Sequence, residues 1–134
     1  MILLEEILQG ANFKELPDTV QHNLETLLER INIIRSEYGK PMKVSSGLRT
    51  MKKHLEIYER KGITDKKKIP MKSRHLVGAA VDISDPKKEL QKWCFTNIEQ
   101  LKEAELWMED FEATPTWCHF QIFPPKSGKR FFKP

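Results

Sequence analysis

The stretch SRHLVGAAVD, Ser73 to Asp82, brackets a short apolar run with an imidazole near one end and a carboxylate at the other. If Ala80 to Ser84 forms a strand, its period of two places Ala80, Asp82 and Ser84 on one face and Val81 and Ile83 on the other. Asp82 then faces a site while its neighbours face a core. Gly78 and Ala79 leave room for a tight turn that folds His75 back beside that carboxylate. The same alternation applied to TWCHFQI puts Trp117, His119 and Gln121 on one face. Cys118, Phe120 and Ile122 take the core side, which turns Cys118 away from the site although it adjoins a candidate ligand. Two histidines and one carboxylate, with a fourth position left open, form the ligand set of a catalytic zinc. The open position can hold an activated water.

Outward from this stretch the chain reads as helices alternating with a few short strands. From Asp18 to Tyr38, Val20, Leu24, Leu27, Leu28, Ile31 and Ile34 recur at helical spacing and give one apolar face. Asp18 with Gln21 resembles a capping box, and Gly39 followed by Pro41 supplies the stop. MKVSS alternates and reads as a short strand. Thr50 can cap a helix to about Lys61, with Gly62 just past its end. GITDKKKIPMK is a basic loop. Asp85-Pro86 opens one further helix, with Leu90, Trp93, Ile98 and Leu101 toward the core. ELWM and TWCHFQIF read as two final strands joined by an acidic turn through Glu109, Asp110 and Glu112, and PPKSGKRFFKP as a basic tail. The fold class is α+β, a small antiparallel sheet packed with helices. One domain fills residues 1–134, with 1–15 as an N-terminal extension and 124–134 as the tail.

Composition bounds the function. A chain of 134 residues can bury a single real core, and 39% hydrophobic with 31% charged residues reads as soluble and globular. Glu5 and Glu6 interrupt the only apolar run near the start, so no signal peptide is expected, and no segment reaches the length of a membrane span. Synthesis in the cytoplasm is therefore expected, with Cys94 and Cys118 as free thiols. The net charge of +4 mildly favours an acidic partner. A nucleic-acid module rests on that charge and the lysine loop alone, since no helix-turn-helix, zinc-finger or aromatic RNA-binding motif accompanies them. Nucleic acid is not the expected partner, and a monomer is expected.

The whole string resembles the S-x-H-x-x-G-x-A-x-D motif of the zinc D-Ala-D-Ala carboxypeptidase and endolysin peptidase family, matching at Ser73, His75, Gly78, Ala80 and Asp82. LPDTVQHNLETLLERINIIRSEYGKPMKVSSGLRT is similar to that family's N-terminal helix, strand and S-G-x-R turn, and TWCHF to its closing W-x-H strand. The resemblance runs from about Leu16 to Phe123. It implies the Hedgehog/D-Ala-D-Ala peptidase-like zinc fold and a metallopeptidase acting on peptidoglycan stem peptides. His75, Asp82 and His119 would hold one Zn2+ per chain. Arg49 would receive a substrate carboxylate or polarise its carbonyl, Ser73 would hydrogen-bond near the substrate, and Trp117 would wall the pocket. The expected setting is the cell wall, reached on lysis or as part of a virion.

The chain departs from the family pattern at two positions. Many members carry an acid three residues before the last histidine, where this chain has Thr116, and an acid two residues after it, where this chain has Gln121. A hydroxyl cannot take up a proton at neutral pH. The acidic turn can supply the missing base, and Glu112, at its end, is the expected one; Asp110 and Glu109 are expected to face solvent. Without a base, the alternative is a zinc-holding structural or binding module without turnover, such as a phage-particle component. His54 lies close in sequence to Arg49 and reads as core or solvated, and His22 as a surface residue.

Overall fold

The long apolar stripe is the spine of the protein. In the computed structural model, which describes residues 1–134, helix α2 spans Asp18–Tyr38 and buries Leu24, Leu27, Ile31 and Ile34 completely. Gly39 ends it in the left-handed conformation (φ 73°), its N–H donating to the Arg35 carbonyl. The expected capping box does not form. Pro17 precedes the helix, and the Gln21 side-chain amide donates to the Leu16 carbonyl instead.

Strand β1 (Val44–Ser46) is followed by helix α3 (Met51–Arg60), where the Thr50 hydroxyl caps the Lys53 N–H as its position implies. Strand β2 runs Ala80–Ser84, β3 Trp107–Glu109, β4 Trp117–Gln121 and β5 Phe131–Phe132. The sheet order is β1-β2-β4-β3-β5, antiparallel except for the β3–β5 pair. Val81, Ile83, Cys118 and Phe120 join the α2 stripe in one core. The opposite faces of the central strands carry the polar residues.

One helix expectation is corrected, and both terminal segments pack into the fold. The helix after Asp85-Pro86 is two helices, α4 (Glu89–Thr96) and α5 (Ile98–Glu103), because Asn97 leaves helical geometry and turns its amide back to the Trp93 carbonyl. Asp85 caps α4 from outside, its two carboxylate oxygens accepting from the Leu90 and Gln91 N–H groups. The basic tail contributes a strand, for β5 pairs with β3 and buries Phe132. The N-terminal extension is also integral. Helix α1 (Leu4–Leu8) sends Ile7 and Leu8 into the core, and the Ile7 carbonyl accepts from the Leu48 N–H at 2.9 Å. Gly47 lies against that carbonyl so closely that a Cβ would collide with the Ile7 backbone, so the Gly47–Leu48 turn is fixed by a segment distant in sequence.

Candidate metal centre

Register places the site. Asp82 on β2 stands directly opposite His119 on β4, with Ala80 opposite Gln121 and Ser84 opposite Trp117. This is the shared face that strand alternation implies. His75 reaches the same point from a 3-10 turn, Arg74–Val77, where the Ser73 hydroxyl accepts from the His75 N–H. Gly78 closes that turn at φ 71°, and a Cβ there would also meet the Leu24 side chain. Glycine is therefore required twice over, by backbone sign and by packing against α2.

His75 Nε2 lies 3.2 Å and His119 Nδ1 3.0 Å from the same oxygen, Asp82 Oδ1. All three residues are buried, and their candidate ligand atoms lie within 4.8 Å of one another. The far nitrogens decide the tautomers. His75 Nδ1 is 2.8 Å from the Gly47 carbonyl, which only accepts, so that nitrogen carries the hydrogen. His119 Nε2 is 2.9 Å from Gln121 Oε1, and Gln121 is itself oriented by its amide donating to the Phe123 carbonyl at 2.8 Å. In neutral rings, then, both remaining nitrogens direct lone pairs toward a carboxylate oxygen. Three electron-rich groups facing each other in a buried place are stabilised by a positive charge between them, whether a metal ion or a proton. The donor set therefore fits a metal ion, with each imidazole oriented by an outer hydrogen bond in the manner of metal-binding histidines.

With no metal bound, a proton on the imidazole side supplies that positive charge instead. Burial alone would raise the Asp82 carboxyl, but hydrogen bonds from His119 and His75, with their charge, hold it well below the usual carboxylate range. Burial would lower His119, yet the hydrogen bond and charge of Asp82, then the charge of Glu109, raise it above an ordinary histidine.

The cluster forms the floor of a cavity of about 1050 Å³, whose lining includes Arg49, Ser73 and Trp117. Arg49 sends one terminal nitrogen to within 3.5 Å of Asp82 Oδ2, while its Nε donates to Ser46 Oγ at 3.1 Å. Its backbone N–H donates to the His75 carbonyl at 3.0 Å, tying the S-G-x-R turn to the histidine turn.

The structure does not bring Glu112 to the site. It lies exposed on the turn after β3, its N–H bonded to the Asp110 carboxylate, and it does not line the cavity. Thr116 is likewise exposed. The carboxylate that faces the centre belongs to Glu109, with Oε1 at 3.7 Å from His119 Nε2. The reason is β3 alternation: Met108 pairs with Phe120 and is buried in the core, so its neighbour Glu109 takes the site face. The signal was present in ELWME, where Leu106 and Met108 are the apolar partners. Tyr58, from the last turns of α3, and Phe132, from β5, complete the walls; Phe132 lies edge-on to His119 with ring centroids 6.4 Å apart. Tyr58 carries no recognisable signal, since its place depends on how α3 docks. Cys118 is buried on the core side, and His22 is exposed.

Comparison with known proteins gives a fold relationship. The L-Ala D-Glu endopeptidase ChiX of Serratia marcescens has a similar structure, with a TM-score of 0.55 over 85% of this chain and 93% of that one, at 19% sequence identity. No protein-family model and no curated protein matches the sequence. At that identity the similarity establishes a shared α+β fold.

Proposed function

We propose that the protein is a zinc-dependent peptidase that hydrolyses peptide bonds of peptidoglycan stem peptides, as a carboxypeptidase or endopeptidase. One observation carries this reading: His75, Asp82 and His119 converge with both outer imidazole nitrogens already engaged as donors, at the floor of an open cavity. The fold shared with an L-Ala D-Glu endopeptidase supports the substrate class. Zn2+ held there would supply Lewis acidity toward a peptide carbonyl and lower the pKa of water.

The remaining roles fall to the chain's own residues. Arg49 spends its Nε on Ser46 and one terminal nitrogen on Asp82, leaving further N–H donors for a substrate carboxylate or the scissile carbonyl. Glu109 is the general base: its carboxylate takes a proton from the attacking water and returns it to the departing amine nitrogen. The Ser73 hydroxyl accepts from the backbone, so its hydrogen is free to donate toward a bound peptide. Trp117 walls the cavity. No helix is long and apolar enough to cross a membrane. Arrival at the wall on lysis, or with a virion, belongs to this proposal.

The second reading, a zinc-holding module without turnover, draws on Thr116 at the position where the resembling family places its acid. Glu109 weakens that support by offering a carboxylate from another strand. Zinc-loaded protein incubated with purified peptidoglycan, with released peptides identified by mass spectrometry, separates the two. Peptide release that a chelator stops and zinc restores is the expected result. One bound zinc per chain without any release would make the module reading correct.

A further inference from the structure

The cavity carries opposite charge at its two depths. Its carboxylates, Asp82 and Glu109, both belong to the floor. Around the mouth stand Lys61 just past the end of α3, Lys72 and Arg74 at the start of the histidine turn, and Lys126 and Lys133 on the tail. All five are exposed, and none takes part in an ion pair, whereas the surface lysines Lys40 and Lys102 sit within 4.0 Å of Glu89 and Glu99 respectively. Solvated lysines are the ordinary finding on a basic protein, but these converge from three separate segments on one opening.

The tail lysines are also held in place. The Arg130 and Phe132 carbonyls accept from the Met108 and Asp110 N–H groups at 2.9 and 2.7 Å, and Arg130 donates to the Leu106 carbonyl at 2.9 Å. Lys126 sits in the turn closed by the Gly128 N–H and Pro125 carbonyl, and Lys133 follows the buried Phe132 directly. The tail is thus a fixed wall of the cavity with a cation at each end of it.

We propose that this rim selects wall peptides by their free carboxylates, with Lys126 and Lys133 as the specificity-determining pair. The inference rests on the peptidase reading for its substrate class. Peptides whose carboxylates are free are preferred over the same peptides with those groups amidated, because amidation removes the charge the rim attracts and leaves the backbone contacts in place. Exposed ion pairs are individually weak and screened by salt, so two of them imply a preference of roughly 3- to 30-fold at low ionic strength.

The test uses the full zinc-loaded chain and a synthetic wall tetrapeptide in free-acid and amidated forms, with binding followed by calorimetry and cleavage by chromatography. The expected result is tighter binding of the acid form, with the preference shrinking at high salt. Lys126→Gln with Lys133→Gln should lower the acid-to-amide ratio by roughly 3- to 30-fold, the rest being due to Arg49 and the other rim cations, and Lys126→Arg with Lys133→Arg should retain it. Equal binding of the two peptides by the wild type, failure to bind either, or an undiminished ratio in the glutamine variant would overturn the proposal. Discrimination in binding with no cleavage would leave the rim intact and remove the peptidase reading. Equal binding and cleavage of both forms would do the reverse.

Discussion

His54 and His75 invite direct comparison. Both are buried, and each holds one ring nitrogen 2.8 Å from a backbone carbonyl, Pro70 for His54 and Gly47 for His75. They differ in the second nitrogen. His75 Nε2 meets the Asp82 carboxylate with His119 beside it, while His54 Nδ1 is buried with no hydrogen-bond partner. The Tyr58 ring lies edge-on to His54, with centroids 5.0 Å apart, and burial, then the charges of Arg49, His75 and Lys61, lower its pKa below the ordinary value. Burial and one outer hydrogen bond therefore do not mark a metal ligand. A second lone pair aimed at a shared point does, and that depends on strand register, not on the histidine itself.

The sharpest way to break this contrast is to remove a ligand. His119→Ala should abolish stoichiometric zinc binding, a larger effect than the roughly 10- to 100-fold lost when only an outer partner of a ligand is removed. Zinc should raise the Tm of the wild type and leave that of the variant unmoved, since only a ligand that binds the folded state stabilises it. One zinc per chain in the variant, by metal analysis, would end the assignment. His54→Gln serves as the opposite arm and should keep full stoichiometry.

Next in size is the base. Glu109→Gln should keep zinc and lower kcat by roughly 10²–10⁴-fold, the range of a positioned acid/base group. Glu112→Gln, on the exposed turn, should change kcat little. Equal kcat for Glu109→Gln and wild type would remove the role. Arg49→Ala follows: loss of a charged donor to the substrate should reduce kcat/KM by about 30- to 1000-fold, or about 2–4 kcal/mol. Zinc stoichiometry should survive, and a variant with unaltered kinetics would assign Arg49 to the Asp82 pair alone. Smaller again is Gln121→Ala. The His119 Nε2–H loses its acceptor, and zinc affinity should fall about 10- to 100-fold, measured by competition with a chelator. Gln121→Glu keeps an acceptor and should retain most of that affinity.

Much of this was legible in the sequence because it follows from short periods. Alternation alone places Asp82 and His119 on the site face with Val81, Ile83, Cys118 and Phe120 behind them, and the α2 stripe shows its core positions directly. The same alternation, carried one strand further, would have put Glu109 beside Trp107 on the site face; proximity of Glu112 to the His119 strand in the chain was the poorer guide. Other features depend on long-range docking that no local pattern encodes. The Ile7 carbonyl buttressing Gly47 joins residues 40 apart, and the tail's return as β5 hides a buried strand inside a basic segment. His54 has the same local character as a ligand and is distinguished only by where the Ser73–Gly78 turn and β4 carry their histidines.

The smallest expected effect tests the other half of the opening contrast, that His54 is a neutral core residue. Its Nε2–H donates to Pro70, so protonation would add an N–H at Nδ1 in a buried place with no acceptor. The folded-state pKa accordingly lies below the unfolded value near 6.5. The sign follows from proton binding. Above that value the ring is neutral in both states and His54 contributes no pH dependence. Below it the unfolded chain takes up a proton that the folded protein resists, so stability falls as pH drops toward the lowered folded pKa. The contribution can be no steeper than ~1.4 kcal/mol per pH unit for one proton. Denaturant unfolding of wild type and His54→Gln, in the same metal state between about pH 5 and 7.5, isolates it, because the other titrating groups are common to both proteins. The wild type should lose more stability than the variant on the acid side, with the two curves running parallel above about pH 7. Parallel curves throughout would mean that His54 finds a partner when charged, and would place it with the site histidines after all.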